Sequence, residues 1–182
     1  MSVDLKQNYF ALFGLPVSYT VDRATLDQRY RELQRLVHPD KFASAADQER
    51  RIAMQQAAQV NEGYRVLKDD LARARYVLEL RGHRFDDERN THQDPEFLME
   101  QMELREALGD VREAADPFAS LSGILEQVDA RLAALSAELD AQLVADAAIP
   151  EPALMAVQRM QFFRKLAQEA QELEADLEDE AG

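Results

Sequence analysis

The stretch YRELQRLVHPDK, residues 30–41, contains the end of an amphipathic helix and the turn that follows it. The apolar residues that predict this helix recur at helical spacing and are Leu26, Tyr30, Leu33 and Val37. Pro39 cannot continue the helix, and it disfavours helical backbone geometry at His38 before it. We therefore expect His38, Pro39 and Asp40 to be presented in a loop.

Three more helices are predicted around this one. A short helix spans residues 8–14, and another spans residues 70–80. The helix that ends at His38 starts after Asp22, which is a good N-cap residue. The helix that follows the loop begins near Asp47, and its apolar face comprises Ala53, Ala57, Val60, Tyr64 and Leu67. The two helices that flank the loop should pack as an antiparallel hairpin.

The second half of the chain predicts three longer helices. Asp94 and Pro95 provide a cap and a first helical residue for the first of them. The next helix runs from Phe118 to about Ala147, and a last helix follows Pro150. The middle helix carries a coiled-coil seam at alternating four-three spacing, namely Leu121, Leu125, Val128, Leu132, Leu135 and Leu139. The last helix carries the stripe Phe163, Leu166, Ala170, Leu173 and Leu177. Short links between long helices favour an antiparallel bundle.

We predict an all-α protein of two domains. Residues 82–93, GHRFDDERNTHQ, are polar and lack helical periodicity, so the boundary is expected there. The predicted parts are an N-terminal domain (1–80), a linker (81–93) and a C-terminal three-helix domain (94–182). Charge supports the division, because residues 1–80 contain 12 Lys+Arg and 11 Asp+Glu, whereas residues 81–182 contain 9 and 24.

The composition excludes several kinds of function. The chain has no cysteine, so it can form no disulfide and supply no thiolate to zinc or an iron-sulfur cluster. A formal net charge of -14 disfavours nucleic acid and anionic lipid as partners. Charged residues interrupt every apolar run well short of the roughly 20 residues that span a bilayer, and the N-terminus lacks a signal-peptide core. We expect a cytoplasmic protein without a membrane partner.

The helix that starts at Pro95 has two apolar faces. One stripe, which lies within about 60° on a helical projection, should face the bundle and comprises Phe97, Leu104, Leu108 and Val111. The opposite side carries Leu98, Met99 and Met102, next to Glu103 and Glu106. Such a face could bind a partner, or it could pack against the N-terminal domain. In the last helix, Phe162 lies at the rim of the core stripe, where spacing alone favours core packing.

The presented loop favours recognition over catalysis. No Ser, Cys or third orienting group stands at a recognisable motif position beside it, so we predict that the chain is not an enzyme. His38, His83 and His92 lie in separate segments without the spacing of metal ligands, so no metal site is predicted.

A basic edge leads to the loop. Arg31 and Arg35 are an i, i+4 pair on the side of their helix away from Leu26, Tyr30 and Leu33, and Lys41 follows in the loop. The two arginines alone are compatible with an ordinary solvated helix face. Beside the loop, they favour a docking surface for an acidic partner.

Residues 1–80 resemble a J-domain. The resemblance rests on the motif Tyr30-Arg31-Glu32-Leu33, which leads into His38-Pro39-Asp40-Lys41, and on Asn61-Glu62-Gly63-Tyr64 with Leu67. It implies that His38, Pro39 and Asp40 stimulate ATP hydrolysis by a heat-shock chaperone of the DnaK class, and that Arg31 helps to dock it. One departure is Gly63, where many J-domains have alanine.

The segment FLMEQMELRE, residues 97–106, resembles the start of the helical domain of HscB-type co-chaperones. This extends the resemblance to nearly the whole chain. It implies that the C-terminal domain binds the iron-sulfur scaffold protein IscU and passes it to the chaperone HscA, with no cofactor of its own. The implied scaffold contacts are Leu98, Met99, Met102, Glu103, Glu106 and Phe162. The predicted chaperone contacts are Arg31, Arg35, His38, Pro39, Asp40 and Lys41.

Two alternatives stay open at this level. A J-protein could deliver a different client through the same apolar face. A structural protein could instead dimerise through the seam between Leu121 and Leu139, whereas the co-chaperone hypothesis expects a monomer when the protein is free.

Overall fold

The computed structural model describes residues 7–38, 46–85, 94–143 and 150–181. Within these ranges all regular secondary structure is helical, as predicted. The chain folds into two compact units. The first unit holds α1 (Tyr9–Leu12), α2 (Arg23–Val37), α3 (Asp47–Lys68) and α4 (Asp70–Leu80). The second holds α5 (Pro95–Gly109), a 3-10 turn (Asp110–Glu113), α6 (Pro117–Gln142) and α7 (Glu151–Ala181).

Helices α2 and α3 form the predicted antiparallel hairpin. The rings of Tyr30 and Tyr64 stack with their centroids 4.0 Å apart, and the Tyr64 hydroxyl donates to Asp27 Oδ1 at 2.8 Å. The predicted cap is confirmed, because the Asp22 carboxylate accepts from Thr25 N at 2.8 Å. The core beneath the hairpin contains the fully buried residues Phe10, Phe13, Leu26, Val60, Leu67 and Leu78.

Gly63 lies where α1 crosses α3. A Cβ atom at this position would come within 2.9 Å of Tyr9 Cδ1 and 3.0 Å of Phe13 Cε2. The Tyr9 ring cannot move away easily, because it packs on Tyr76 at 4.9 Å and its backbone N donates to the Tyr76 hydroxyl. Glycine therefore permits the close approach of the two helices.

Arg73 joins three parts of the first unit from a buried position in α4. Its guanidinium donates to Tyr19 O at 2.5 Å, to Leu67 O at 2.8 Å and to Asp70 Oδ1 at 2.5 Å. The same group lies 4.9 Å from the centroid of the Tyr19 ring. Its charge is thus compensated by acceptors on every side, which a buried guanidinium requires.

The second unit is the predicted three-helix bundle. Helices α6 and α7 pack along each other, and α5 contacts both. Asp94 caps α5 and Pro95 opens it, as predicted, and an ion pair joins Asp94 to Arg159 of α7. The buried residues of α6 are Leu121, Ile124, Val128, Leu135 and Leu139, whereas Leu125 and Leu132 of the predicted seam are half-buried. The predicted stripe of α7 is buried except for half-buried Leu173.

Two predicted helix bounds were wrong. The first helix is only Tyr9–Leu12, with Asn8 as its cap, rather than 8–14. Helix α6 begins at Pro117 and ends at Gln142, not near Ala147. No helix breaker stands between residues 143 and 147, so propensity alone could not find this end, and Leu143 is buried outside the helix. The predicted linker, 81–93, lies partly outside the described residues, and its bounds stay a prediction.

Candidate functional site

Arg31, Arg35 and His38 lie on one side of α2 and line a cavity of about 510 Å³. Gln34 lines the same cavity between the two arginines. We call these four residues the basic face. They follow an i, i+3, i+4, i+7 pattern, which places them on one side of a helix. His38 caps the end of α2 with ψ of 127°, so the predicted helix end at this residue is confirmed.

The basic face is joined to α3 through Gln34. Its Nε2 donates to Asn61 Oδ1 at 2.9 Å and to the Tyr30 hydroxyl at 2.6 Å. The Tyr30 hydroxyl in turn donates to Asn61 Oδ1 at 3.0 Å. Three side chains from two helices therefore bond to each other beside the cavity.

Near this network, the pKa values of Asp27 and Tyr64 are shifted mainly by a hydrogen bond and less by burial. The bond from Tyr64 is the main reason why the pKa of Asp27 lies below its usual value, and the same bond raises the pKa of Tyr64. Asp27 is thus held as an anion two turns before Gln34, facing Tyr64 and Arg23. Pro39, Asp40 and Lys41 of the predicted site lie outside the described residues.

The second candidate surface is on α5. Leu98, Met99 and Met102 are 42%, 63% and 72% exposed, and Glu103 and Glu106 are exposed beside them. We call these five residues the α5 face. The opposite stripe faces the bundle as predicted, with Leu104 and Val111 buried and Phe97 and Leu108 half-buried. Exposed methionines suit an adaptable binding surface, because their unbranched side chains repack easily.

Phe162 of α7 lies at the edge of this surface within an aromatic cluster. Its ring meets Phe97 and Phe163 edge-on, at centroid distances of 5.7 and 5.4 Å. The Arg105 guanidinium lies 5.6 Å from the Phe162 centroid. The ring is half-buried, so it both packs in the bundle and remains accessible from one side.

A polar cavity of about 460 Å³ borders the other edge of the α5 face. Met99 and Glu103 line it together with Glu100, Arg131 and other residues of the second unit. Arg131 Nη2 lies 2.6 Å from Glu100 Oε1, an ion pair that joins α6 to α5. The α5 face is therefore presented by a helix that is tied down on its other side.

Sequence reasoning missed two residues of these surfaces. Gln34 completes the helical spacing of Arg31, Arg35 and His38, so the spacing was a usable signal. Arg105 was hidden because its contact with Phe162 joins two helices. No sequence pattern reports such a pairing.

Other kinds of site find no support in the part of the chain that the structure describes. There, no group of three or more His, Asp or Glu side chains is arranged to hold a metal ion. Among the same residues, no helix is both long enough and apolar enough to cross a membrane.

Comparison with known proteins gives matches over nearly the whole chain. Residues 93–171 match the family model described as the HSCB C-terminal oligomerisation domain. The Co-chaperone protein HscB homolog of Pseudoalteromonas atlantica is 45% identical over 173 residues, which cover 94% of this chain and 99% of the relative. The solved structure of the chaperone HscB from Vibrio cholerae is 41% identical with a TM-score of 0.81, covering 94% of this chain and 99% of its own.

A more distant structure has the same fold. The crystal structure of human co-chaperone protein HscB matches with a TM-score of 0.85 at 28% identity, and the match covers 96% of this chain and 85% of that one. Fold and matches together define a J-domain co-chaperone, in which a helical hairpin unit is followed by a three-helix bundle. The chain belongs to the HscB family. Its relatives are named as co-chaperones, which agrees with the prediction that it is not an enzyme.

Proposed function

We propose that this protein stimulates the ATPase of a specialised DnaK-class chaperone, HscA, through the basic face and the loop that follows it. The residues proposed to carry this activity are Arg31, Arg35, His38, Pro39, Asp40 and Lys41. The observation that supports it best is the convergence of Arg31, Arg35 and His38 on one cavity at the end of α2. A cationic helix face next to a proline-containing loop suits an acidic partner surface.

The test is single-turnover ATP hydrolysis by purified HscA with increasing amounts of this protein. His38→Gln should reduce the stimulation by about tenfold or more, which is over about 1.4 kcal/mol of transition-state effect. His83→Gln is a matched control, because His83 follows α4 rather than α2. Full stimulation by His38→Gln would contradict the proposal.

We further propose that the α5 face and Phe162 hold the iron-sulfur scaffold protein IscU and deliver it to the chaperone. The residues proposed for this contact are Leu98, Met99, Met102, Glu103, Glu106 and Phe162. Exposed apolar side chains flanked by carboxylates favour a partner with an apolar patch and basic neighbours. The resemblance to HscB-type co-chaperones also leads us to propose a cytoplasmic location.

Calorimetric titration with purified IscU tests this second part. The double variant Leu98→Ala/Met102→Ala should weaken binding by at least about tenfold, since two apolar anchors are truncated. Phe118→Ala is the control, because Phe118 is an exposed apolar residue of the same unit on another helix. Far-UV circular dichroism should be unchanged in both variants. Unaltered affinity of the double variant would remove the assignment.

A J-protein that delivers a different client would show HscA stimulation without IscU binding, so the two titrations separate the hypotheses. The coiled-coil alternative is disfavoured, because Leu121, Val128, Leu135 and Leu139 are buried inside a single chain. We expect the free protein to be a monomer, even though the family model that matches residues 93–171 is described as an oligomerisation domain. A concentration-dependent mass in light scattering would contradict this expectation.

A further inference from the structure

Gln34 is the uncharged member of the basic face. It lies three residues after Arg31 and one before Arg35, and all three line the same cavity with His38. Its amide nitrogen donates to both Asn61 Oδ1 and the Tyr30 hydroxyl, at 2.9 and 2.6 Å. A neutral carboxamide thus stands at a fixed position between two cations.

The bonds of the amide nitrogen determine which group Gln34 can offer to a partner. A glutamine amide has two donors and one acceptor oxygen. Since both donors bond Tyr30 and Asn61, the acceptor Oε1 is the group left for an outside donor. The bonds of Gln34 to Tyr30 and Asn61 both run through Nε2 and do not involve Oε1.

The hairpin does not depend on this network for its packing. The rings of Tyr30 and Tyr64 already stack at 4.0 Å, and the Tyr64 hydroxyl bonds Asp27 of the facing helix. Asn61 is exposed and Gln34 is half-buried, so their bonds lie at the surface, where a hydrogen bond adds little stability. The network is better placed to orient Gln34 than to hold the helices together.

We propose that Gln34 is a docking residue of the basic face, with Asn61 as the residue that positions it. Its Oε1 accepts a hydrogen bond from a backbone N–H or a hydroxyl of the chaperone. This donor lies between two carboxylates that pair with Arg31 and Arg35. Charge complementarity supports this occupant, because an oxygen acceptor between two arginines fits a donor flanked by acids and repels a third carboxylate.

This inference rests on the proposed chaperone activity, and its test measures two quantities for HscA. These are the concentration of co-chaperone at half-maximal stimulation and the maximal stimulation itself. Gln34→Met keeps the length of the side chain but removes the amide. We expect about a fivefold higher half-maximal concentration, the size of effect that one lost hydrogen bond gives, with unchanged maximal stimulation.

Gln28→Met is the matched control. Gln28 is on the same helix and undergoes the same change, but its amide bonds Glu32 at 2.9 Å and it does not line the cavity among the described residues. The control should leave both quantities unchanged. The inference would be overturned if Gln34→Met and Gln28→Met raised the half-maximal concentration equally, or if Gln34→Met did not raise it.

Asn61 supplies a test of positioning. Asn61→Ala removes the acceptor that holds the Gln34 amide, and it should raise the half-maximal concentration by about threefold. Asn61→Ser keeps an oxygen acceptor without adding a charge beside the basic face, and it should restore part of the loss. A structural role would instead lower maximal stimulation together with the melting temperature. The Gln34 and Asn61 variants test only the docking role of Gln34. The proposed ATPase stimulation is tested separately by His38→Gln, and it would be refuted if that variant stimulated HscA fully.

Discussion

At the scale of the residue, Gly63 shows how the hairpin and α1 fit together. In a helix, glycine costs up to about 1 kcal/mol relative to alanine, so the sequence alone suggests a weak point in α3. The structure assigns a reason, because the rings of Tyr9 and Phe13 occupy the space that a methyl group would need. Where many J-domains have alanine, this chain has Gly63, which lets the rings of Tyr9 and Phe13 pack closer to α3.

We predict that Gly63→Ala lowers the free energy of unfolding by about 1–3 kcal/mol, since overpacking outweighs the gain in helix propensity. Gly123→Ala in α6 is the control, because a Cβ there meets no atom within 4 Å. The control should stabilise by about 0.5–1 kcal/mol. Urea unfolding followed by circular dichroism measures both values, and stabilisation by both substitutions would refute the packing argument.

A second prediction at this scale concerns acid. The ion pair with Arg159 is the main reason why the pKa of Asp94 lies below 3.8, with help from backbone N–H groups of α5. As the pH falls, Asp94 is therefore protonated in the unfolded chain before it is protonated in the folded protein. The carboxylate contributes full stability above about pH 4, and that contribution is lost as the pH falls through the lowered pKa.

Asp94→Asn keeps a capping side chain but removes the charge. We expect a lower melting temperature at pH 7, a smaller difference from wild type at pH 3, and the same pattern for Arg159→Gln. The double variant should add little to either single change, because both remove one interaction. Melting temperatures between pH 3 and 7 test this, and additive losses would contradict the coupling.

At the scale of the element, α4 is held to its neighbours by Arg73. One guanidinium satisfies the carbonyl of Leu67 near the end of α3 and the carbonyl of Tyr19 before α2. Both carbonyls would lose their partner if the arginine were removed. Arg73 therefore ties α4 both to the end of α3 and to the segment before α2.

We predict that Arg73→Met destabilises the protein by about 2–4 kcal/mol, because two carbonyls and the Asp70 carboxylate lose a donor in a partly dry site. Arg65→Met should cost much less, since the Arg65–Glu62 pair is exposed. Urea unfolding of the two variants provides the comparison. If both variants lowered the free energy of unfolding equally, the burial of the Arg73 hydrogen bonds would contribute nothing to stability.

The elements also show what could be predicted from the sequence. Local signals sufficed where a cap or proline stands at a helix end, as at Asp22, His38, Asp94 and Pro95. They failed at Gln142, where α6 ends although no glycine or proline follows before Pro150. The same limit applies to the surfaces, because the spacing located the arginines and methionines, whereas the Gln34–Asn61 and Arg105–Phe162 contacts join two helices.

At the scale of the whole molecule, charge is distributed unequally. Residues 1–80 are nearly neutral, with 12 basic and 11 acidic residues, whereas the rest of the chain carries 9 and 24. The basic face thus belongs to the part of the chain without a large excess of acid. The α5 face lies in the acidic part, but the exposed side chains at its centre, Leu98, Met99 and Met102, are apolar.

We predict that the two proposed activities respond differently to salt. Raising NaCl from about 0.05 to about 0.5 M should increase the half-maximal co-chaperone concentration for HscA severalfold, because exposed ion pairs are screened. Affinity for IscU should change less, since apolar contacts dominate that surface. Parallel titrations at both salt concentrations provide the measurement. Equal salt dependence of the two affinities would contradict this division.

The stacked pair Tyr30–Tyr64 has an optical consequence. The chain has no tryptophan, and its five tyrosines all lie within residues 1–80. Tyrosine fluorescence therefore comes from residues 1–80 alone, and the pair whose centroids lie 4.0 Å apart contributes to it. Loosening of the hairpin would change this emission, whereas a ligand on α5 that contains neither tyrosine nor tryptophan would leave it unchanged. The same cuvette can thus separate events at the two ends of the chain without an added label.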